Sequence, residues 1–236
     1  MNLDVGDRER LKKKILEAVA ANPHLTAACD RCLKTDRWGG SVVLMVVDAA
    51  LTSSGLNYFD LVVPRVRLFS ERFVEGGAVA SLQQLAQINV KDFLNLWRNE
   101  RCWSVAKEVA SALKNYGKSD REALRNWASK SVLQKWRLNP IGSIKGVGLV
   151  TYQYLRMMGG VDTVMPDRVV KRVLNKMLTE CGFSPVRGDL EFIEEATSIA
   201  HEAGVRPIEL CWMTWLQEGE GEKIRSSRDP EILLKI

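Results

Sequence analysis

Two glycines flanking one apolar residue mark the first segment able to bind a charged group. In Lys145-Gly146-Val147-Gly148 the glycines let the backbone turn sharply, and a helix is predicted to follow. Backbone amides at a helix N-terminus, helped by the helix dipole, suit a phosphate oxygen. We expect Val147 to point back into the fold, and Lys145 and Thr151 to add a charge and a hydroxyl at the phosphate. The alternative is an ordinary αα-hairpin with a glycine-rich turn.

A carboxylate follows at a fixed distance from this turn. Nineteen residues after Gly148, Met165-Pro166-Asp167 precedes an apolar run with helical spacing, so Asp167 is predicted to lie at or beside a helix N-cap. An ionised carboxylate facing a cleft can stabilise positive charge on a sugar ring or orient a water molecule. A capping residue with no further role is the alternative interpretation.

The order of these features resembles a known family. A Gly-Val-Gly hairpin, a helix, a loop, and Pro-Asp with a basic residue five positions on are similar to the helix-hairpin-helix Gly/Pro-Asp superfamily of DNA glycosylases. That superfamily includes endonuclease III and the alkylpurine glycosylases. The resemblance implies that Asp167 drives cleavage of the N-glycosidic bond and that Arg172 is the basic residue of the motif. It also implies double-stranded DNA with a damaged base as the partner, with alkylated purines slightly favoured because proline precedes the aspartate in that branch.

Two departures from the family pattern narrow the implied activity. Bifunctional members carry a Schiff-base lysine two residues after the second hairpin glycine, and Val150 occupies that position here. The resemblance therefore implies a monofunctional enzyme. Endonuclease III-like members also carry a four-cysteine cluster, whereas only Cys181 and Cys211 follow Asp167. We expect no iron–sulfur cluster and no other cofactor.

Asp162 competes with Asp167 for the catalytic role. Val161-Asp162-Thr163 matches the V-D-T string that carries the aspartate in endonuclease III-like proteins. However, Asp162 lies only fourteen residues past Gly148 and precedes a loop rather than a helix. The sequence therefore favours Asp167.

The family resemblance also implies a pocket for a base turned out of the duplex. Tyr152 and Tyr154, on the helix leaving the hairpin, are candidates for stacking on that base. The wedge that fills the gap in the duplex would come from the loop 52–57, where Ser54 or Leu56 is the candidate. Basic residues that suit either further phosphate contacts or a solvated charged face are Lys130, Lys135, Arg137, Lys171 and Arg172.

Cys29 and Cys32 form a Cys-x-x-Cys pair. A structural zinc site needs a second short-spaced pair, which is missing, and the βαβ pattern that flanks a redox pair is also absent. We predict no metal site and interpret the five cysteines as reduced thiols that pack between helices.

Helical patterns dominate the rest of the sequence. Residues 7–21 place Leu11, Ile15, Leu16 and Val19 in one predicted apolar stripe. Residues 42–51 form an apolar run that favours a buried helix over a strand. A capping box, Ser119-Asp120-Arg121-Glu122, predicts a helix start. Asn139-Pro140 predicts a short capped helix over 140–144. No β-hairpin pattern is present, so an all-α protein is expected.

The family analogy predicts how the helices are distributed. Residues 39–161 would form a helical barrel lobe carrying the helix-hairpin-helix motif at about 139–158. Residues 1–38 and 162–236 would form a second helical lobe. A cleft between the two lobes is expected to receive the base.

Composition sets broad limits on location and partners. With 46% hydrophobic and 27% charged residues among 236, the chain is typical of a globular protein. A formal charge of +5 permits a polyanionic partner without requiring one. No apolar run reaches the roughly 20 residues that span a bilayer, and the charged start is not typical of a secretory signal. We expect a cytoplasmic monomer, nucleoid-associated in a bacterium or archaeon, with no membrane partner.

The leading hypothesis is a monofunctional DNA glycosylase of base-excision repair. One alternative is a non-catalytic helix-hairpin-helix DNA-binding protein, and another is a glycosylase for oxidised or mismatched bases. A helical scaffold protein is a third, and it would have no salt-dependent affinity for DNA.

Overall fold

The computed structural model describes residues 5–55, 57–218, 221–222 and 233–236. Helices account for 67% of the structure and the described residues form no strand, which confirms the predicted all-α class. No helix within these ranges is both long and apolar enough to cross a membrane. The α-helices of the described residues are α1 (Val5–Ala20), α2 (Leu25–Leu33), α3 (Val42–Thr52), α4 (Val63–Phe69), α5 (Leu82–Leu85), α6 (Glu100–Leu113), α7 (Asp120–Lys130), α8 (Leu149–Met158), α9 (Arg168–Glu180), α10 (Asp189–Ala203) and α11 (Pro207–Trp215).

Shorter helical segments connect several of these helices. The 3-10 helices are Arg37–Gly40, Val90–Phe93 and Leu133–Leu138. Two π-helical turns, Tyr58–Val62 and Ser70–Val74, continue α4 at its two ends.

The chain divides into two compact units. The terminal unit comprises residues 1–30 and 162–235, and the central unit comprises residues 31–161 with the final residue, Ile236. The central unit therefore contains both the glycine-rich segment and its following helix, whereas Asp167 belongs to the terminal unit.

The first division lies after residue 30, where the sequence predicts it after residue 38. Contacts within the central unit account for this position. The Nη1 atom of Arg125, on α7, donates to the Leu33 carbonyl oxygen at 3.0 Å and to the Thr35 hydroxyl at 3.1 Å. The end of α2 is thus bonded to α7.

In the terminal unit, α1 packs against α10 and α11, and α9 packs against α11. Leu11 and Ile15 lie four residues apart on α1 and are both buried. Leu16, predicted to belong to the same stripe, is 41% exposed. That part of the prediction is wrong because consecutive helical residues point about 100° apart.

In the central unit, α3 is buried along its length from Val42 to Leu51 and packs against α6 and α8. The predicted buried helix over 42–51 is confirmed. Ser41 begins it, because its Oγ accepts a hydrogen bond from the Leu44 amide at 3.4 Å.

The predicted helix start at residues 119–122 is also confirmed. The Ser119 Oγ accepts from the Glu122 amide at 3.2 Å, and α7 begins at Asp120. The Glu122 carboxylate reaches back to the amide of Lys118 at 2.9 Å. Because α7 packs against α8, this capped helix supports the glycine-rich segment.

Candidate nucleic-acid-binding turn and candidate catalytic aspartate

Asn139 anchors the start of the glycine-rich segment. Its Oδ1 accepts from the Ile141 amide and from Trp127 Nε1, both at 3.0 Å. The Ser143 amide donates to the Asn139 carbonyl oxygen at 2.9 Å, which closes one helical turn. Asn139 therefore acts as the predicted cap and ties the segment to α7.

The helix predicted over 140–144 is a single turn, so that prediction is wrong in extent. The turn lies directly against the preceding 3-10 helix, Leu133–Leu138. A Cβ added at Gly142 would clash with the Trp136 carbonyl oxygen. This close backbone contact directs the chain into the next turn instead of a longer helix.

The following reversal is called here the glycine turn (residues 144–148). It is closed by the Val147 amide, which donates to the Ile144 carbonyl oxygen at 3.0 Å. Gly146 has φ of +107°, and an added Cβ would lie 2.8 Å from Val105 Cγ2 on α6. Val147 is buried, as its predicted inward orientation requires. Gly146 is thus needed by the fold itself.

Gly148 differs from Gly146 in both conformation and surroundings. Its backbone is extended, with φ of −94° and ψ of 173°, and it caps α8 without a side chain. A Cβ added there would meet no atom within 4 Å. Internal packing therefore does not account for a glycine at this position, whereas close approach of a ligand would.

The first turn of α8 presents free donors beside this open space. Among the described residues, the amides of Leu149, Val150 and Thr151 have no hydrogen-bond acceptor. Lys145 is exposed and forms no ion pair within the described part of the chain. Thr151 is buried, so its contribution to an anion site is its amide rather than an exposed hydroxyl. The arrangement can hold one anionic oxygen group.

Tyr152 and Tyr154, predicted to stack on a base, are both buried. The Tyr152 ring packs edge-on against Trp127, with centroids 5.4 Å apart, and also contacts Trp136. Burial raises the pKa of Tyr152. Neither tyrosine ring is open to a stacked base, and we do not propose them as base contacts.

Tyr154 instead belongs to a polar cluster around Asp48, which the sequence analysis missed. The Asp48 Oδ2 atom accepts from Trp38 Nε1 at 2.8 Å, from the Tyr58 hydroxyl at 2.9 Å and from the Tyr154 hydroxyl at 2.8 Å. Arg37 Nη2 lies 3.5 Å from the same oxygen, and both side chains of this ion pair are buried. Burial raises the pKa of Tyr58 and of Tyr154, so both hydroxyls remain donors at neutral pH.

This Asp48 cluster (Arg37, Trp38, Asp48, Tyr58 and Tyr154) joins four segments of the central unit. It also holds a strained residue, since Trp38 has φ of +52°, in the left-handed region. The sequence offered one signal for this cluster, which was the single carboxylate, Asp48, within the apolar run 42–51. Its partners lie as far as 106 positions away, so periodicity did not identify them.

In the terminal unit, Asp167 lies where the sequence predicts it. It is the N-cap of α9, and its Oδ1 accepts from the Val169 amide at 2.8 Å. Its Oδ2 accepts no hydrogen bond from a described residue. The side chain is half-buried. One oxygen thus holds the carboxylate in place, and the other is available to a ligand.

Asp162, the competing candidate, is bonded through one oxygen in the same way as Asp167. Its Oδ1 accepts from the Ile208 amide at 2.9 Å, in the first turn of α11. Each aspartate thus uses one oxygen to accept a bond at a helix N-terminus, so the choice of Asp167 over Asp162 stays a prediction.

The predicted phosphate contact Arg172 forms a salt bridge. Its Nη2 and Nε atoms lie 2.6 and 2.7 Å from Glu218 Oε2, and its side chain is 53% exposed. An exposed pair of this kind contributes about 0–1 kcal/mol, so a phosphate can replace Glu218 at small cost. Lys171 is likewise engaged, with its Nζ 2.6 Å from Asp189 Oδ1.

Of the two candidates for the wedge residue, the structure describes only Ser54. Ser54 Oγ lies 2.8 Å from Cys102 Sγ and accepts from Asn99 Nδ2 at 3.3 Å, so it is bonded within the central unit. Leu56 lies outside the described residues.

The cysteines in the described structure are buried and form no disulfide with one another. Burial raises the pKa of Cys32 to about 12, which disfavours the thiolate needed for metal binding or redox exchange. No group of three or more His, Cys, Asp or Glu side chains in the described ranges is arranged to hold a metal ion. The absence of a cofactor stays a prediction.

Comparison of the chain with protein-family models, curated proteins and solved structures found no match.

Proposed function

We propose that the protein is a monofunctional DNA glycosylase that removes a damaged base, with alkylated purines as the favoured class, from double-stranded DNA. The observation that carries this proposal is the first turn of α8. Three amides there have no acceptor among the described residues, and the missing side chain of Gly148 leaves open space before them. A DNA phosphate fits this combination of free donors and space.

The second support is the free oxygen of Asp167. A helix N-terminus favours a charged carboxylate, and the bond to the Val169 amide holds this one in a single orientation. A plain cap needs one oxygen only. The other can face a sugar ring, which is the role that the family resemblance implies for this aspartate.

The proposed reaction begins when the amides of α8 hold the backbone next to a nucleotide turned out of the stack. The N-glycosidic bond breaks, and its electron pair leaves on the base nitrogen. Positive charge then develops on the sugar ring, where Asp167 stabilises it by a few kcal/mol. Water adds to C1′ and loses a proton, which leaves an abasic site. The proton passes to solvent when a cationic alkylated purine departs as a neutral base, and to the base itself when the base departs as an anion.

The reaction ends with an intact strand. Val150 stands where bifunctional members of the family carry their lysine, so no Schiff base forms at this position. Incubation with duplexes containing 3-methyladenine, hypoxanthine, uracil, 8-oxoguanine or a mismatch, followed by alkali, tests the activity. We expect strand breaks after alkali only. Breaks without alkali would contradict the monofunctional mechanism, and no base release from any duplex would favour the non-catalytic DNA-binding alternative.

Gly148→Ser separates ligand binding from folding. Serine fits the extended backbone at this position and is a better helix cap, so the free energy of unfolding should stay equal or rise by up to about 1 kcal/mol. Its hydroxyl would occupy the space and the donors proposed for a phosphate. We expect the affinity for duplex DNA, measured by fluorescence anisotropy, to fall about tenfold, which corresponds to about 1.4 kcal/mol. Unchanged affinity would remove the phosphate site from the proposal.

Gly146→Ala is the matched control for Gly148→Ser, because it changes the neighbouring glycine, which the fold itself requires. Alanine must adopt a positive φ there and would clash with Val105. We expect the free energy of unfolding to fall by about 1–3 kcal/mol. A wild-type midpoint in thermal unfolding would show that the glycine turn does not have the conformation described above.

A further inference from the structure

The excess positive charge of the chain lies in the stretch of sequence that contains the glycine turn. Residues 123–161 contain six lysines and arginines and no aspartate or glutamate. The remaining 197 residues carry 28 basic and 29 acidic side chains, so this stretch accounts for the excess positive charge. A stretch of one sign is the electrostatic pattern expected of a surface that binds a polyanion.

Two of these six cations are used by the fold. Arg125 bonds to the end of α2, and Arg156 is buried, where its Nη1 donates to Gln153 Oε1 at 2.6 Å. The other four are exposed and form no ion pair within the described ranges: Lys130, Lys135, Arg137 and Lys145. The Arg137 guanidinium lies over the Trp136 ring, 4.9 Å from its centroid, and all four charges are exposed to a ligand.

Two exposed apolar side chains occur in the same stretch of sequence as these cations. Leu138 is 83% exposed, at the end of the 3-10 helix Leu133–Leu138, and Val132 just before that helix is 52% exposed. The third large hydrophobic residue exposed in the described structure, Leu16, belongs to the terminal unit. Two of the three thus occur in the basic stretch.

The segment that carries Leu138 is anchored on both sides. Trp136 packs against Tyr152, with ring centroids 6.0 Å apart, and its carbonyl oxygen contacts Gly142. Asn139 is bonded to Trp127. Leu138 is therefore exposed on a segment whose neighbouring residues are packed and bonded within the central unit.

We infer that Leu138 and the cations Lys130, Lys135 and Arg137 extend the DNA-binding surface beyond the glycine turn, with Leu138 as an apolar contact in a groove of the duplex. The inference rests on the proposed function in so far as both require DNA as the ligand. Phosphates on either side of a groove would pair with the cations, while the leucine side chain contacts the sugars or base edges between them. A protein partner would not require a stretch of 39 residues that contains six cations and no acidic residue.

Binding of the full-length chain to an undamaged duplex tests this surface without any chemical step. We expect Leu138→Ala to lower the affinity about three- to tenfold while the dependence of log K on log salt keeps its slope, because no charge is lost. Lys135→Ala should lower the affinity and make that slope shallower by about 0.9. Leu16→Ala, which shortens the exposed leucine of α1, should leave both quantities unchanged.

The outcomes distinguish this inference from the proposed function. Loss of affinity in Leu138→Ala supports the surface even if no damaged base is ever released. Unchanged affinity in both Leu138→Ala and Lys135→Ala overturns it even if base release is observed. A reduced affinity in Leu16→Ala would equally overturn it, since the effect would not be specific to the basic stretch. Thermal unfolding of each variant shows that the fold is retained, as expected for exposed positions.

Discussion

Asp167→Asn should lose base release while retaining its affinity for duplex DNA. Asparagine is as good a helix cap as aspartate, so the bond from the Val169 amide and the start of α9 should persist. The negative charge that would stabilise the sugar ring is removed. We expect the single-turnover rate of base release to fall by about 100- to 1,000-fold, a loss of about 3–4 kcal/mol of transition-state stabilisation. Alkaline cleavage of a damaged duplex measures the rate, and anisotropy measures the affinity.

Asp162→Asn is the matched control. Its side-chain oxygen can still accept from the Ile208 amide, so the terminal unit should keep its structure. We expect a rate within about threefold of the original protein, a difference of less than about 0.7 kcal/mol. A fast Asp167→Asn or an inactive Asp162→Asn would reverse the assignment. Loss of DNA binding in Asp167→Asn would instead indicate that the aspartate has a structural role.

Asp48→Ala should be the most destabilising substitution in the central unit. It leaves the buried guanidinium of Arg37 without its counter-ion and removes the acceptor of Trp38, Tyr58 and Tyr154. Breaking a buried ion pair by deleting one partner costs about 3–5 kcal/mol. Chemical unfolding should show that the free energy of unfolding falls by at least this amount. The denaturant midpoint should fall while the slope m stays unchanged.

Two further variants separate charge from hydrogen bonding in the same cluster. Asp48→Asn keeps the shape and one acceptor, so its loss of stability should be smaller than that of Asp48→Ala. Tyr154→Phe removes one hydrogen bond to a charged group, for which about 1.5–3 kcal/mol is expected. If the free energy of unfolding of Asp48→Ala lies within about 1 kcal/mol of that of the original protein, then the cluster is not buried as described.

The Asp48 cluster also bears on the candidate site. Tyr154 lies on α8, the helix whose first turn carries the free amides of the proposed phosphate site. The bond to Asp48 ties α8 to α3 and thereby restricts how the amides can move. Weakened DNA binding in folded Tyr154→Phe would show that this restriction matters for the ligand.

The sequence by itself determined the features that depend on neighbouring residues. The all-α class, the buried helix over 42–51 and the helix start at Ser119 follow from apolar spacing and capping, which act within one or two turns. The position of Asp167 at a helix N-terminus was predictable for the same reason. The turn at Gly146 and Gly148 was also visible, although their separate roles were not.

Only the tertiary structure decided which side chains are free and which are already bonded. Gly146 is required by Val105, forty-one positions earlier, while Gly148 faces open space. Tyr154 bonds to Asp48 across 106 positions instead of facing a base, and Arg172 pairs with Glu218 across 46. Such partners are set by how helices pack, and helical periodicity carries no information about which distant residue lies across a contact. The same packing leaves one oxygen of Asp167 and the first amides of α8 without partners among the described residues, and these free groups carry the proposed function.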